Sequence, residues 1–84
     1  MSKSELILSI YSRPECHLCE EMVYALKEWQ SRFDFKKNII DIDQDSSLTS
    51  RFAARIPLLA AGDVEICEYH IDEKALSIFF ENAK

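Results

Sequence analysis

The sequence predicts an α/β sandwich, a four-stranded mixed sheet flanked by helices in the order β-α-β-α-β-β-α. Three observations carry this. Short runs rich in branched aliphatic residues alternate with longer stretches whose apolar residues recur at three- and four-residue steps. Proline, glycine and Asp-Ser clusters punctuate the borders between them. The chain has 84 residues, 48% of them hydrophobic and only one a glycine, enough for one core but not two; a single domain over residues 1–84 is expected.

Leu6 to Tyr11 is a continuous aliphatic run, the pattern of a strand buried on both faces. Pro14 suits a helix entry, where a missing N–H costs nothing. From Cys19 onward, Met22, Val23, Leu26, Trp29 and Phe33 form a helical stripe. Strand character returns from Phe35 to Ile42. Asp43 to Ser47 supplies capping residue types, so a short helix through Leu48 and Phe52 is expected, ending before Pro57. Leu58–Ala61 and Val64–Tyr69 read as an antiparallel hairpin turning at Ala61-Gly62-Asp63. A last helix carries Ala75, Leu76, Phe79 and Phe80, with Asp72 as its cap. The first β-α-β is long enough for a right-handed crossover, which makes strands one and two parallel neighbours.

The net charge is −5 with both signs mixed along the chain, which argues against nucleic acid as a partner, since that needs a basic footprint. The aliphatic run at Leu6 is too short for a signal-peptide core or a membrane span, so no membrane and a cytoplasmic location are expected. Three cysteines do not make the even framework of a small secreted domain. In a reducing compartment a close pair points to redox chemistry or metal binding.

Cys16-His17-Leu18-Cys19 lies where strand one hands over to helix one. Cys16 would stand at the first turn, near free backbone N–H groups and the positive end of the helix dipole. Such placement can lower a thiol pKa from about 8.5 to roughly 3.5–7.5. Cys19, one turn on and in the apolar stripe, should be shielded. That asymmetry suits dithiol exchange, with Cys16 attacking and Cys19 resolving. Arg13 and His17 would add positive charge beside Cys16, while Glu20 and Glu21 oppose the thiolate. Two other readings stand beside this one. The cysteines can be ordinary core thiols, or with Cys67-x-x-His70 they can form a four-ligand zinc set. Residues three apart on a strand face opposite ways, so the zinc set needs the strand to end first. Asp41-x-Asp43-x-Asp45 is not a calcium loop, because Ser46 and Phe52 occupy the positions that need glycine and glutamate. Arg51 and Arg55, together with Trp29, Phe33, Phe79 and Phe80, are read as a solvated face and core respectively rather than as ligand sites.

The stretch Ile10-Tyr11-Ser12-Arg13-Pro14-Glu15-Cys16-His17-Leu18-Cys19-Glu20, then Ile40-Asp41-Ile42-Asp43, then Arg55-Ile56-Pro57-Leu58-Leu59 ahead of a hairpin, resembles the glutaredoxins. It resembles still more the compact bacterial glutaredoxin-like proteins of the thioredoxin superfamily, over nearly the whole chain. The resemblance implies a thioredoxin-like fold, Cys16 as nucleophile and Cys19 as resolving thiol. It implies a cis peptide at Ile56-Pro57, with the Ile56 backbone offered to an extended substrate. Arg13 matches the basic residue that contacts glutathione's carboxylate, and His17 and Leu18 stand where the family usually has proline and an aromatic residue. The glycine pair that helps hold glutathione is absent from Cys67-Glu68-Tyr69-His70-Ile71-Asp72, where only Asp72 corresponds. A monomer with no bound cofactor and no metal is expected. It would reduce disulfide-bearing proteins or small disulfides, with a reductase or glutathione as recycling partner; the missing glycine pair weighs against glutathione.

Overall fold

The computed structural model describes residues 6–83, in which four strands and three α-helices follow one another in the order read from the sequence. The strands are β1 (Ile7–Ser12), β2 (Lys36–Asp41), β3 (Leu58–Ala61) and β4 (Val64–Glu68); the helices are α1 (His17–Gln30), α2 (Ser46–Phe52) and α3 (Glu73–Asn82). The sheet order is β2-β1-β3-β4, with β1 and β2 parallel and the other pairs antiparallel.

Side chains alternate across a strand, and that alternation builds two cores. Leu8 and Ile10 of β1 and Leu59 of β3 face Met22, Leu26 and Trp29 of α1 and Leu76 and Phe80 of α3. Leu58, one residue from Leu59, points the other way, onto Ile42 and Phe52. Tyr11 joins this second core by stacking on Phe52 at 4.5 Å. β3 is therefore buried on both sides, which accounts for the complete burial of Leu58 and Leu59. β1 departs from the expected two-sided burial. It begins one residue later, and its Ile7 is exposed because the seven-residue α2 covers only the far end of that face.

Local chemistry sets the remaining borders. A 3₁₀ turn over Ile42–Gln44, not anticipated from the sequence, takes Ile42 out of β2 and into the second core. The Asp41 carboxylate caps it by accepting from the Asp43 N–H, and Asp45 caps α2 by accepting from the Ser47 N–H. Asp72 caps α3 by accepting from the Ala75 N–H at 3.1 Å. α1 ends at Gln30, so Phe33 lies beyond the helix, yet it still reaches the core and stacks on Phe80 at 4.2 Å. Gly62 in the hairpin turn has φ +60, a conformation L side chains rarely adopt; the space around it is open, so backbone freedom is what it supplies.

Candidate functional site

β1 delivers the chain to the site at its carboxyl end. Pro14 lies in the turn before the helix rather than in its first turn, and Glu15 follows with φ +59. Proline second and a positive φ third is the pattern of a type II turn. Cys16 is then the N-cap of α1: its carbonyl accepts the Glu20 N–H, and its Sγ accepts the Cys19 N–H at 3.2 Å. One of the unpaired amides at the helix start is thereby directed at the sulfur.

Cys16 and Cys19 are joined as a disulfide, with alpha carbons 5.2 Å apart. Cys16 is half-buried, whereas Cys19 retains 4% exposure beneath it. Beside the pair runs a cleft of about 490 Å³ between α1 and the edge strand β2, walled by Val23 and Tyr24 on one side and Ile39 on the other. Arg13, Glu15, Glu20, Lys27 and Asp41 rim it.

The Arg13 guanidinium is committed elsewhere in the protein. Its Nε and Nη2 donate to the two carboxylate oxygens of Asp43 at 3.2 and 3.0 Å, and these bonds, with the Asp43 charge, hold its pKa above the ordinary arginine value. His17 is exposed, with its Nε2 3.3 Å from the Glu21 carboxylate, and Leu18 is half-buried beside it. Neither lines the cleft.

Ile56-Pro57 is a cis peptide. Tyr11 pairs with Leu58, so one more step of that antiparallel register sets Pro57 beside Ser12, at the sheet end that carries the cysteines. Ile56 and Pro57 also lie outside the cleft. The segment before the proline is tied to the end of β4. The Tyr69 N–H donates to the Pro57 carbonyl at 2.7 Å, and its hydroxyl donates to the Ala54 carbonyl. Arg55 donates to Glu65 and to Glu68. Tyr69 holds φ +69, which glycine enters without strain and other residues at a cost of about 1–2 kcal/mol.

Cys67 is a free, half-buried thiol packed against the first core, and burial pushes its pKa up. Among the described residues no three His, Cys, Asp or Glu side chains converge where a metal ion could sit. No helix among them is long and apolar enough to cross a membrane.

Several pairings that shape this site were not read from the sequence. Asp43 lies 30 positions from Arg13, and the β1–β2 register that puts Ile39 on the cleft side cannot be counted from spacing alone. Tyr69 did leave a signal, since it occupies the segment where the resemblance leads one to expect glycine.

Fold and cysteine pair together define a thioredoxin-like module that carries a C-x-x-C disulfide at the entrance of its first helix. A model of the glutaredoxin-like domain (DUF836) matches residues 7–81, and the chain belongs to that family. Two solved structures are similar over nearly their whole length. Protein Ne2328 from Nitrosomonas europaea is 33% identical, with a TM-score of 0.83 over 94% of this chain and 95% of that one. Protein XcR50 from X. campestris is 30% identical, with a TM-score of 0.71 over 92% and 99%. A mutant thioredoxin from Halobacterium salinarum, 23% identical with a TM-score of 0.61 over 93% of this chain and 74% of its own, shares the fold. No curated protein matches the chain.

Proposed function

We propose that the protein is a cytoplasmic, monomeric thiol-disulfide oxidoreductase that passes two electrons from the Cys16–Cys19 dithiol to disulfide substrates. The supporting observation is the Cys19 N–H directed at the Cys16 sulfur from the helix start, because the same donor and dipole stabilise a thiolate there after reduction. Cys16 attacks one sulfur of the substrate, forming a mixed disulfide and expelling the other sulfur as a thiolate that takes up a proton. Cys19 then gives up its proton and attacks the Cys16 sulfur, releasing the second substrate thiol and closing the Cys16–Cys19 disulfide. Unequal burial assigns the roles: the more open sulfur meets substrate, and the buried one reacts only within the protein.

Ile56 and Pro57 would present backbone to an extended substrate segment, with Arg13, His17 and Leu18 bordering its approach. Recycling falls to a reductase or to glutathione. The Arg13–Asp43 pair and the missing glycine pair both weigh against glutathione, since each removes a group that would hold it.

The test is reductase activity on insulin and on 2-hydroxyethyl disulfide, with mass spectrometry of the thiol state. Wild type should cycle between dithiol and disulfide. Cys16→Ser should lose activity on both substrates, and Cys19→Ser should accumulate mixed disulfide. Full activity in Cys16→Ser would end this reading. Comparing glutathione with a thioredoxin reductase as electron donor separates the recycling routes.

A further inference from the structure

The charges and apolar walls of the α1–β2 cleft bear on which disulfides can use it. Tyr24 and Ile39, 73% and 54% exposed, are large apolar side chains left open beside a reactive disulfide. Ile39 stays open because, among the described residues, β2 is an edge strand with no further strand beside it. The cleft volume is within the roughly 300–1,000 Å³ of ordinary ligand pockets.

Its charges do not balance. Arg13 is matched inside the protein by Asp43. The Lys27 ammonium lies over the Tyr24 ring, 5.6 Å from its centre. On the other side stand three carboxylates. Glu15 and Glu20 have no ion-pair partner among the described residues, and Asp41, which accepts from the Asp43 N–H and the Gln44 side chain, shares the Arg13 charge with Asp43 without an ion pair of its own among those residues. With Arg13 and Asp43 cancelling, one cation faces three anions around the sulfurs, in a protein whose net charge is itself −5. An anionic disulfide meets repulsion there, and a cationic one meets attraction.

We propose that this cleft receives a peptide segment of a partner protein in which the disulfide-bonded cysteine is flanked by a basic residue and an apolar one. The apolar side chain covers Val23, Tyr24 and Ile39, and the basic group meets Glu15, Glu20 and Asp41. The inference rests on the oxidoreductase reading. The chemistry is the same exchange, with two electrons moving from the protein dithiol to the peptide disulfide and one proton going to each released peptide thiol.

The experiment uses the full chain, reduced beforehand and freed of reductant. It is mixed with the symmetric disulfides of capped Arg-Cys-Leu, Gln-Cys-Leu, Glu-Cys-Leu and Arg-Cys-Ser, and with neutral 2-hydroxyethyl disulfide. Each rate is divided by that of dithiothreitol with the same substrate, which removes intrinsic reactivity. At low salt the order should be Arg, then Gln, then Glu, with an Arg-to-Glu ratio of about tenfold. The ratio should fall towards one at about 0.5 M salt and in the Glu15→Gln, Glu20→Gln double variant. Arg-Cys-Leu should react several-fold faster than Arg-Cys-Ser. Removing equal charge from α3 by Glu73→Gln with Glu81→Gln should keep the ratio high. A wild-type ratio of one or less overturns the proposal, as does an equal fall in the α3 variant, or equal rates for the Leu and Ser peptides. In those outcomes 2-hydroxyethyl disulfide is still reduced, which leaves the parent reading standing. No reduction of any of these disulfides overturns both.

Discussion

Reducing the disulfide frees the Cys16 sulfur at the head of α1, and its acidity is set by opposing contributions. The Cys19 N–H at 3.2 Å becomes a hydrogen bond to a charged group, worth about 1.5–3 kcal/mol. The helix N-terminus adds about 0.3–1 kcal/mol. Glu15 and Glu20 on the exposed cleft rim oppose the thiolate by at most about 1 kcal/mol each, the cost of a roughly 4 Å approach at water-like dielectric. The donors win by roughly 1 kcal/mol, and since about 1.4 kcal/mol is a factor of ten, the thiolate fraction at neutral pH should be about fivefold that of a free thiol. Nucleophilicity falls as acidity rises, so alkylation should gain less, about two- to threefold. The assay is thiolate absorbance at 240 nm against pH in Cys19→Ser, which keeps the backbone N–H while removing the partner thiol. Cys16 should titrate below the ordinary value of about 8.5, and lower again with Glu15→Gln and Glu20→Gln. A titration at or above that value would refute the capping argument.

Leu26 is wholly buried between α1 and the sheet, so Leu26→Ala should cost about 2–5 kcal/mol, a large share of the roughly 4–13 kcal/mol expected of a domain this size; urea unfolding measures it. Asp72→Ala removes the α3 cap and should lower stability by about 1 kcal/mol in the same assay. Asp45, held low by the Ser47 hydroxyl and N–H, and Glu65, held low by Arg55, bind protons less readily in the folded chain. Their contribution is present above the ordinary carboxylate range and lost as pH falls through their depressed values. Unfolding midpoints should therefore drop below about pH 4, with a shallower acid limb in Asp45→Asn and Glu65→Gln. Cys67, whose pKa is raised chiefly by burial, should alkylate more slowly than free cysteine at pH 8 in a Cys16→Ser, Cys19→Ser background, read by mass spectrometry.

Element order was legible because burial imposes period. The Met22-Leu26-Trp29 stripe and the Leu58–Ala61 run each place their side chains where the cores require them. Ends were less legible, since caps and turns depend on single hydrogen bonds. Pro14 has a fixed φ that a helix start and a turn both accept, and it sits in the turn. Ile42 has the same hydrophobicity in a strand or a 3₁₀ turn, and the Asp41 cap selected the turn.

Sequence by itself determined the alternation of strand and helix and the placing of Cys16 ahead of Cys19 at a helix entrance, because both depend on spacing along the chain. Only tertiary structure decided that Arg13 is claimed by Asp43 and that Ile39 stays open beside the disulfide. It also decided that Tyr69 takes a glycine-like conformation to bind the strand-β3 entrance at Pro57. These depend on register and on loops brought together from distant positions, and neither periodicity nor composition carries that information.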